Sequence, residues 1–222
     1  MKGKVVLVTG ASRGIGRAIA LAFAAEGCRL ALASRTEEAL AAVAREAEAL
    51  GGEAHHWITD VTDPTQAEIL IGNVSRVLGR IDVLVNNAGG SHRKDFEAVS
   101  DEEWEHVVNL NLFSALRLSR AVLPHMKKRG SGQIINIAAL SGRVPRLGQI
   151  ASNAAKAALI NFTESLAAEV ARHGIRVNAV CPAAILNERW EQRVAHYGKE
   201  HGLSFEEAMT EMASKAIPLG RF

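Results

Sequence analysis

The chain has 222 residues, 48% hydrophobic and 23% charged, with a formal net charge of +2. That length suits one large domain with a substantial core, and so even a charge balance argues against a nucleic-acid partner. No apolar run approaches membrane-spanning length and the chain enters its first strand without a leader segment, so a cytoplasmic protein with no membrane association is expected.

The first apolar run, Val5–Val8, leads into Thr9-Gly10-Ala11-Ser12-Arg13-Gly14-Ile15-Gly16 and then a helical pattern through Ile19, Ala20, Phe23 and Ala24. Strand, glycine loop and helix in that order suit phosphate binding. Glycines let the backbone approach an anion closely, and a helix N-terminus points unpaired N–H groups at it. The Gly-x3-Gly-x-Gly spacing is not the commoner dinucleotide fingerprint and lacks the Lys-Ser/Thr ending of a P-loop. Alone, it would also serve as a plain turn.

Further strands are expected at Arg29–Ala33, Glu53–Ile58, Ile81–Val85, Gln133–Ile137 and Ile175–Val180. Helices are expected at Gly14–Glu26, Glu37–Leu50, Pro64–Leu78, Asp101–Lys128 and Gln149–His173, with a polar pair within Asn187–Lys215. Thr36, Asp63 and Ser100 are the expected caps, Ser100 with Glu103 as a capping box. Strict βα alternation with strands apolar throughout predicts an α/β fold of Rossmann type. This is a doubly wound parallel sheet in three α/β/α layers, one domain over residues 1–222, with ligands beyond the strands' carboxyl ends.

The loops at those ends carry the candidate chemistry. After the second strand stands Ser34-Arg35, where a NAD site usually places an acid for the adenosine ribose. Arg35 and Arg13 instead offer guanidinium groups suited to a 2′-phosphate, or are two solvated surface cations. Asp60 follows the third strand, placed to hold an adenine amino group or to cap a turn. Asn86-Asn87-Ala88-Gly89-Gly90 follows the fourth as a small-residue turn that either runs along a cofactor or merely reverses the chain. The two cysteines, Cys28 and Cys181, read as buried free thiols. The eight histidines lack ligand spacing, so no metal is expected.

With these motifs, Asn109-Leu110-Asn111, Lys156 and Arg176-Val177-Asn178 leading to Pro182, the chain resembles the short-chain dehydrogenase/reductase family over essentially its whole length. It is similar to bacterial 3-oxoacyl-carrier-protein reductases in particular. The resemblance implies reversible hydride transfer between a nicotinamide and a small-molecule carbonyl or alcohol, including a carrier-bound acyl group by analogy. With Arg13 and Arg35 it implies NADP(H) as cofactor. The implied cofactor residues are Gly10, Ser12, Arg13, Gly14, Ile15, Gly16, Arg35, Asp60, Val61, Asn87, Ala88, Gly89, Lys156, Pro182, Ile185 and Asn187. The helices at 101–128 and 149–173 would form a homo-oligomer, dimer or tetramer, and residues 187–215 would cover the substrate. Relatives continue past residue 222 into another helix and an edge strand, so the sixth strand is expected to have an open edge.

The family's catalytic set maps onto Asn111, Lys156, Ser152 and Ala139, and there the chain departs from the pattern. Family members have a tyrosine four residues before the lysine, where this chain has Ser152, and a serine thirteen residues before that tyrosine, where it has Ala139. Ala183 stands where relatives carry glycine, and Asn187 is the remaining candidate for the nicotinamide carboxamide. The resemblance therefore implies a dinucleotide half that is intact and a reactive half that is impaired. A non-catalytic NADP(H)-binding protein or a remodelled site with different chemistry are the alternatives. Tyr197, the one tyrosine, is either a phenol within the substrate cover or a packing residue. Ser152 with Lys156 as an activated nucleophile would lack an evident oxyanion hole.

Overall fold

The computed structural model describes residues 1–91, 93–217 and 219–221. Two compact units, Met1–Cys181 and Pro182–Phe222, divide the chain. The first unit contains β1 (Val5–Thr9), α1 (Gly14–Ala25), β2 (Arg29–Ser34), α2 (Glu37–Ala49), β3 (Glu53–Ile58) and α3 (Gln66–Leu78). It continues with β4 (Val83–Asn86), α4 (Asp101–Val108), α5 (Ser114–Arg129), β5 (Gly132–Ile137), α6 (Ile150–Val170) and β6 (Ile175–Val180). The second contains α7 (Glu188–His201) and α8 (Phe205–Ala216).

The sheet has the order β3-β2-β1-β4-β5-β6 with every neighbouring pair parallel, as the βα alternation predicts. Its order reverses between β1 and β4, which opens a crevice at their carboxyl ends. The pleat sends alternate side chains to opposite layers. Val6, Val8, Leu30, Leu32, Val83 and Val85 meet Ala20, Ala24, Leu40 and Val43 of α1 and α2. On the other face Val5, Leu7, Ala31, Leu84 and Ile134 meet α3, α5 and α6 through Leu70, Val74, Leu118, Val122 and Leu166.

Several local expectations are corrected. The third helix starts at Gln66, not Pro64, because the Asp63 carboxylate accepts from the Thr65 amide (2.8 Å) and hydroxyl (2.7 Å) and holds the preceding residues in a turn. Thr36 makes no side-chain cap, whereas Ser100 and Glu103 form the expected capping box. The single helix expected over 101–128 is broken by a π-turn at Asn109–Phe113, whose backbone hydrogen bonds span one residue more than those of an α-helix. β6 is not apolar on both faces: Ile175 and Val177 are buried while Arg176, Asn178 and Val180 are exposed. Cys181 is only half-buried, though both cysteines are free thiols.

In the second unit Asn187 caps α7 by accepting from the Trp190 amide (3.1 Å), and Ser204 with Glu207 caps α8. Tyr197 stacks on His201, donates to Glu211 Oε1 (2.9 Å) and accepts from Lys215 Nζ (3.1 Å). Its phenol is committed to tying α7 to α8, which is the packing alternative. Among the described residues no helix is long and apolar enough to cross a membrane.

Candidate active site

The site grows from the junction of β1 and β4. Asn87 Nδ2 donates to the carbonyl oxygens of Thr9 (2.9 Å) and Gly10 (3.1 Å). The Thr9 hydroxyl accepts in return from the amides of Asn87 (3.1 Å) and Ala88 (3.2 Å). The glycine loop and the turn after β4 are thereby locked together. Thr9 belongs to the motif, yet its type gave no sign of this role, because its partners lie more than seventy residues away. Gly10 and Gly14 adopt left-handed backbone (φ 63° and 55°). Gly16 is required by close approach: a Cβ there would overlap Gly10 O and stand 2.5 Å from Asn87 Nδ2.

Between these glycines the first turn of α1 carries no acidic residue and no side chain caps its start. Its leading N–H groups and the helix dipole are thus available to an anion. Arg13 occupies the cap position and Arg35 follows β2 directly; both are exposed and neither forms an ion pair among the described residues. Register pairs Thr9 with Ala33, so both guanidinium-bearing residues leave the carboxyl ends of adjacent strands. Ser12 and Ile15 are half-buried within the same loop.

Asp60 caps its own turn, its carboxylate accepting from the Thr62 hydroxyl (2.7 Å) and amide (2.9 Å). Those bonds, with Arg35 nearby, hold its pKa below the usual carboxylate value. Val61 beside it is buried. Asn109 and Arg117, which sequence reasoning left without a role, fasten this turn from outside. Asn109 Nδ2 donates to Thr62 O (3.0 Å), and Arg117 Nη1 donates to Asn109 Oδ1 (2.6 Å).

The reactive half is built around α6 and the π-turn. Asn111 is 1% exposed; its amide donates to Gly90 O (2.9 Å) and Val107 O (2.9 Å) and accepts from Gly90 N (3.2 Å). Lys156 is buried, and its Nζ donates to Ile137 O (2.8 Å). Burial pushes its pKa down to about 8, against a smaller upward pull from Cys181. Gly89 joins the two: a Cβ on it would lie 2.9 Å from Asn111 Oδ1 and 3.3 Å from Lys156 Nζ. Gly89, Asn111 and Lys156 therefore border one point.

Ser152 and Ala139 stand at the edges of this cluster without a free donor to offer. The Ser152 hydroxyl donates back to Gln149 O (3.1 Å). It also lines a cavity of about 20 Å³ with Lys94, Val99, Glu103, Val107, Gly148, Ile150 and Ala151. Ala139, extended, opens the 3₁₀ turn Leu140–Gly142, where Ser141 is buried. Pro182, Ile185 and Asn187 belong to the second unit. Ala183 bears no strain for lack of a glycine, since among the described residues no non-glycine has positive φ.

The fold and these strand-end loops define a nucleotide-binding α/β protein of the doubly wound class. Residues 4–198 match the short chain dehydrogenase family, and the chain belongs to that family of oxidoreductases. It is 36% identical over 222 residues to the 3-oxoacyl-[acyl-carrier-protein] reductase FabG of Thermotoga maritima, covering 100% of this chain and 85% of the relative. To FabG of Escherichia coli it is 42% identical over 184 residues, 83% of this chain and 74% of the relative. Among solved structures it is similar to L-sorbose reductase from Gluconobacter frateurii complexed with NADPH and L-sorbose. That likeness has a TM-score of 0.95 at 34% identity, covering 100% of this chain and 85% of the other.

Proposed function

We propose that this chain binds NADP(H) and acts on a carbonyl/alcohol pair as a short-chain reductase whose proton-transfer apparatus is weakened. The observation that carries the reading is the bare cradle at α1. Gly16 leaves no room for a side chain beside Asn87 and Gly10, at an uncapped helix start flanked by Arg13 and Arg35. Such a cradle fits a pyrophosphate, and two guanidinium groups without an acid at the end of β2 fit a 2′-phosphate in place of free ribose hydroxyls. Gly10, Ser12, Gly14, Ile15 and Gly16 would hold the phosphates, Asp60 and Val61 the adenine side, and Asn87, Ala88 and Gly89 the length of the cofactor. Lys156 would hold the nicotinamide ribose. When bound, the nicotinamide supplies or accepts the hydride.

The proton is the weak step. Ala139 has no donor, and Ser152, too high in pKa to act as a phenol would, gives its proton to Gln149 O. Losing a positioned general acid costs about 10²–10⁴ in rate. Losing an oxyanion donor costs on the order of 10²–10³, and the two need not add. The committed Ser152 hydroxyl equally favours a second reading, a non-catalytic NADP(H)-binding protein.

NADPH titration with single-turnover reduction across a ketone panel separates these. The protein and its Ala139→Ser/Ser152→Tyr variant should both bind, with the variant faster by about 10² or more. A variant as inert as its parent would leave the non-catalytic reading. No rise in melting temperature with NADPH would sink both, since a ligand of the native state stabilises it. In this reading the protein is a dimer or tetramer, which sedimentation equilibrium would check.

A further inference from the structure

We infer that the open edge of β3 pairs with the same strand of a second copy of this chain, antiparallel about a two-fold axis. β3 closes one side of the sheet, so among the described residues one row of its backbone groups has no strand beside it. The Thr59 amide donates to Ser34 O of β2 (2.8 Å), and in a parallel ladder only alternate residues face a given neighbour. His55 and Trp57 therefore bond β2, while the amides and carbonyls of Ala54, His56 and Ile58 point outward.

Natural edges are blunted by lysine, proline, a bulge or a covering element. The strand Glu-Ala-His-His-Trp-Ile has neither lysine nor proline, and it pairs with β2 residue for residue from Glu53 to Ile58 without a bulge. Its one carboxylate, Glu53, is already neutralised by Arg29 of β2 (2.6 and 3.0 Å). Among the described residues the edge is also uncovered: a groove of about 470 Å³ runs along it, between α2 and Val77 of α3. Val77 and Ile58, at the end of the strand, are 46% and 51% exposed.

The occupant follows from complementarity. About a two-fold axis at His56 all three outward residues exchange backbone bonds, Ala54 with Ile58 of the other copy and His56 with its own counterpart. On the opposite face of the strand His55 then lies across from Trp57 of the other copy, in a non-hydrogen-bonded pairing where side chains stand closest. His55 and Trp57 already form a ring contact within one chain (6.1 Å), and the pairing extends it to a row of four rings. On α2, Glu38, Ala41 and Arg45 share one helix face, and Ala41 and Arg45 line the groove. The acidic first turn, Glu37 and Glu38, and Arg45 form no ion pair among the described residues. The axis sets the two α2 helices antiparallel, so each stripe, acidic at its start and basic at Arg45, meets its own reverse. A two-fold interface requires such self-complementarity, and a segment of unrelated sequence would not share it.

Hydrogen exchange of the full chain at about 200 µM tests the pairing. The amides of Ala54 and Ile58 should exchange at least about tenfold more slowly than in His56→Lys, which sets like charges face to face on the axis. The Thr59 amide, bonded to β2, should be equally slow in both and reports that the strand is intact. Ile58→Lys, at a position already half-exposed, should speed exchange at Ala54 in the same way. His56→Cys in a Cys181→Ser background should cross-link two chains under mild oxidation, since directly opposed strand residues lie within disulfide reach. The oligomer of the proposed function uses other helices, so the edge amides decide the matter and the mass alone does not. Ala54 and Ile58 amides as fast in the protein as in His56→Lys, or a His56→Cys chain that stays uncrosslinked, overturn the inference and leave the groove to some other segment. NADPH binding is untouched by either result.

Discussion

The side-chain amide of Asn87 donates to the Gly10 carbonyl oxygen at 3.1 Å, and that oxygen is also the atom a Cβ on Gly16 would overlap. Three chain segments, the end of β1, the first turn of α1 and the turn after β4, thus meet at one backbone atom. Backbone cannot yield as the end of a flexible side chain can, so the shape of the loop and its freedom from side chains are the same property.

Gly16→Ala should therefore damage folding and binding together. Overpacking of this kind costs about 1–3 kcal/mol, expected here as a lower melting temperature. Because the displaced atoms carry the cradle, NADPH affinity should also fall, by about tenfold or more. Calorimetric melting and an NADPH titration check both; an unchanged affinity at reduced stability would separate the loop from the cofactor.

Arg35→Asp should invert the preference between cofactors. A guanidinium facing a 2′-phosphate gives charge-assisted bonds of about 1.5–3 kcal/mol, so NADPH should bind about 10- to 100-fold more weakly. NADH should bind as well as before or better, since a carboxylate there suits free ribose hydroxyls. Weakening of both cofactors alike would show that Arg35 does not face the phosphate.

The parts of the molecule that could be read from the chain are those whose causes are local. Val5–Val8 before the glycine loop specifies β1 and α1, and Ser100 with Glu103 specifies a helix start, because each signal lies within a few residues of the structure it makes. The π-turn at Asn109–Phe113 has no such signal. It widens where Asn111 is buried against Gly90, a partner on another loop. The alternation of β6 stands in the sequence itself, in Arg176 and Asn178 between Ile175, Val177 and Ala179; Val180, apolar yet exposed, is the position whose type does not show its face. Candidate site residues were legible by type and spacing. The commitment of Ser152 to Gln149 and of Lys156 to Ile137 depends on how α6 lies on β5, which no spacing encodes.

Lys156 should leave a signature in the dependence of stability on pH. Its folded pKa, about 8, lies below the ordinary 10.5, so between those values the unfolded chain holds more protons than the native one. Stability contributed by this group therefore rises with pH through that window, and the burial penalty is complete below about pH 8. Relative to Lys156→Met, the protein should gain on the order of 2–3 kcal/mol between pH 7 and pH 10.5. Urea denaturation of both in a Cys181→Ala background, which removes the neighbouring thiol, reads the difference; a flat difference would mean the amine is not desolvated.

Asn136 should be the costliest polar side chain in the core to remove. It is fully buried in β5, where the sequence reads as an apolar strand, and it joins three elements. Its Oδ1 accepts from Asn86 Nδ2 of β4 (2.8 Å), and its Nδ2 donates to Thr163 Oγ1 of α6 (2.9 Å). Thr163 in turn donates to Leu159 O (2.6 Å), within the helix that carries Ser152 and Lys156. In Asn136→Ala the Thr163 hydroxyl loses its donor, and Asn86 keeps only a longer bond to Ser119 Oγ (3.3 Å). Buried groups stripped of partners cost about 1–3 kcal/mol each, and such networks exceed the sum of their pairs. A loss of about 2–4 kcal/mol is expected, a fall in melting temperature of roughly 5–15 °C for a chain of this size. Because β5 and α6 are joined here, Lys156→Met placed on Asn136→Ala should deviate from additivity by about 0.5 kcal/mol or more. Additive losses would show that the network stabilises the core without positioning the lysine.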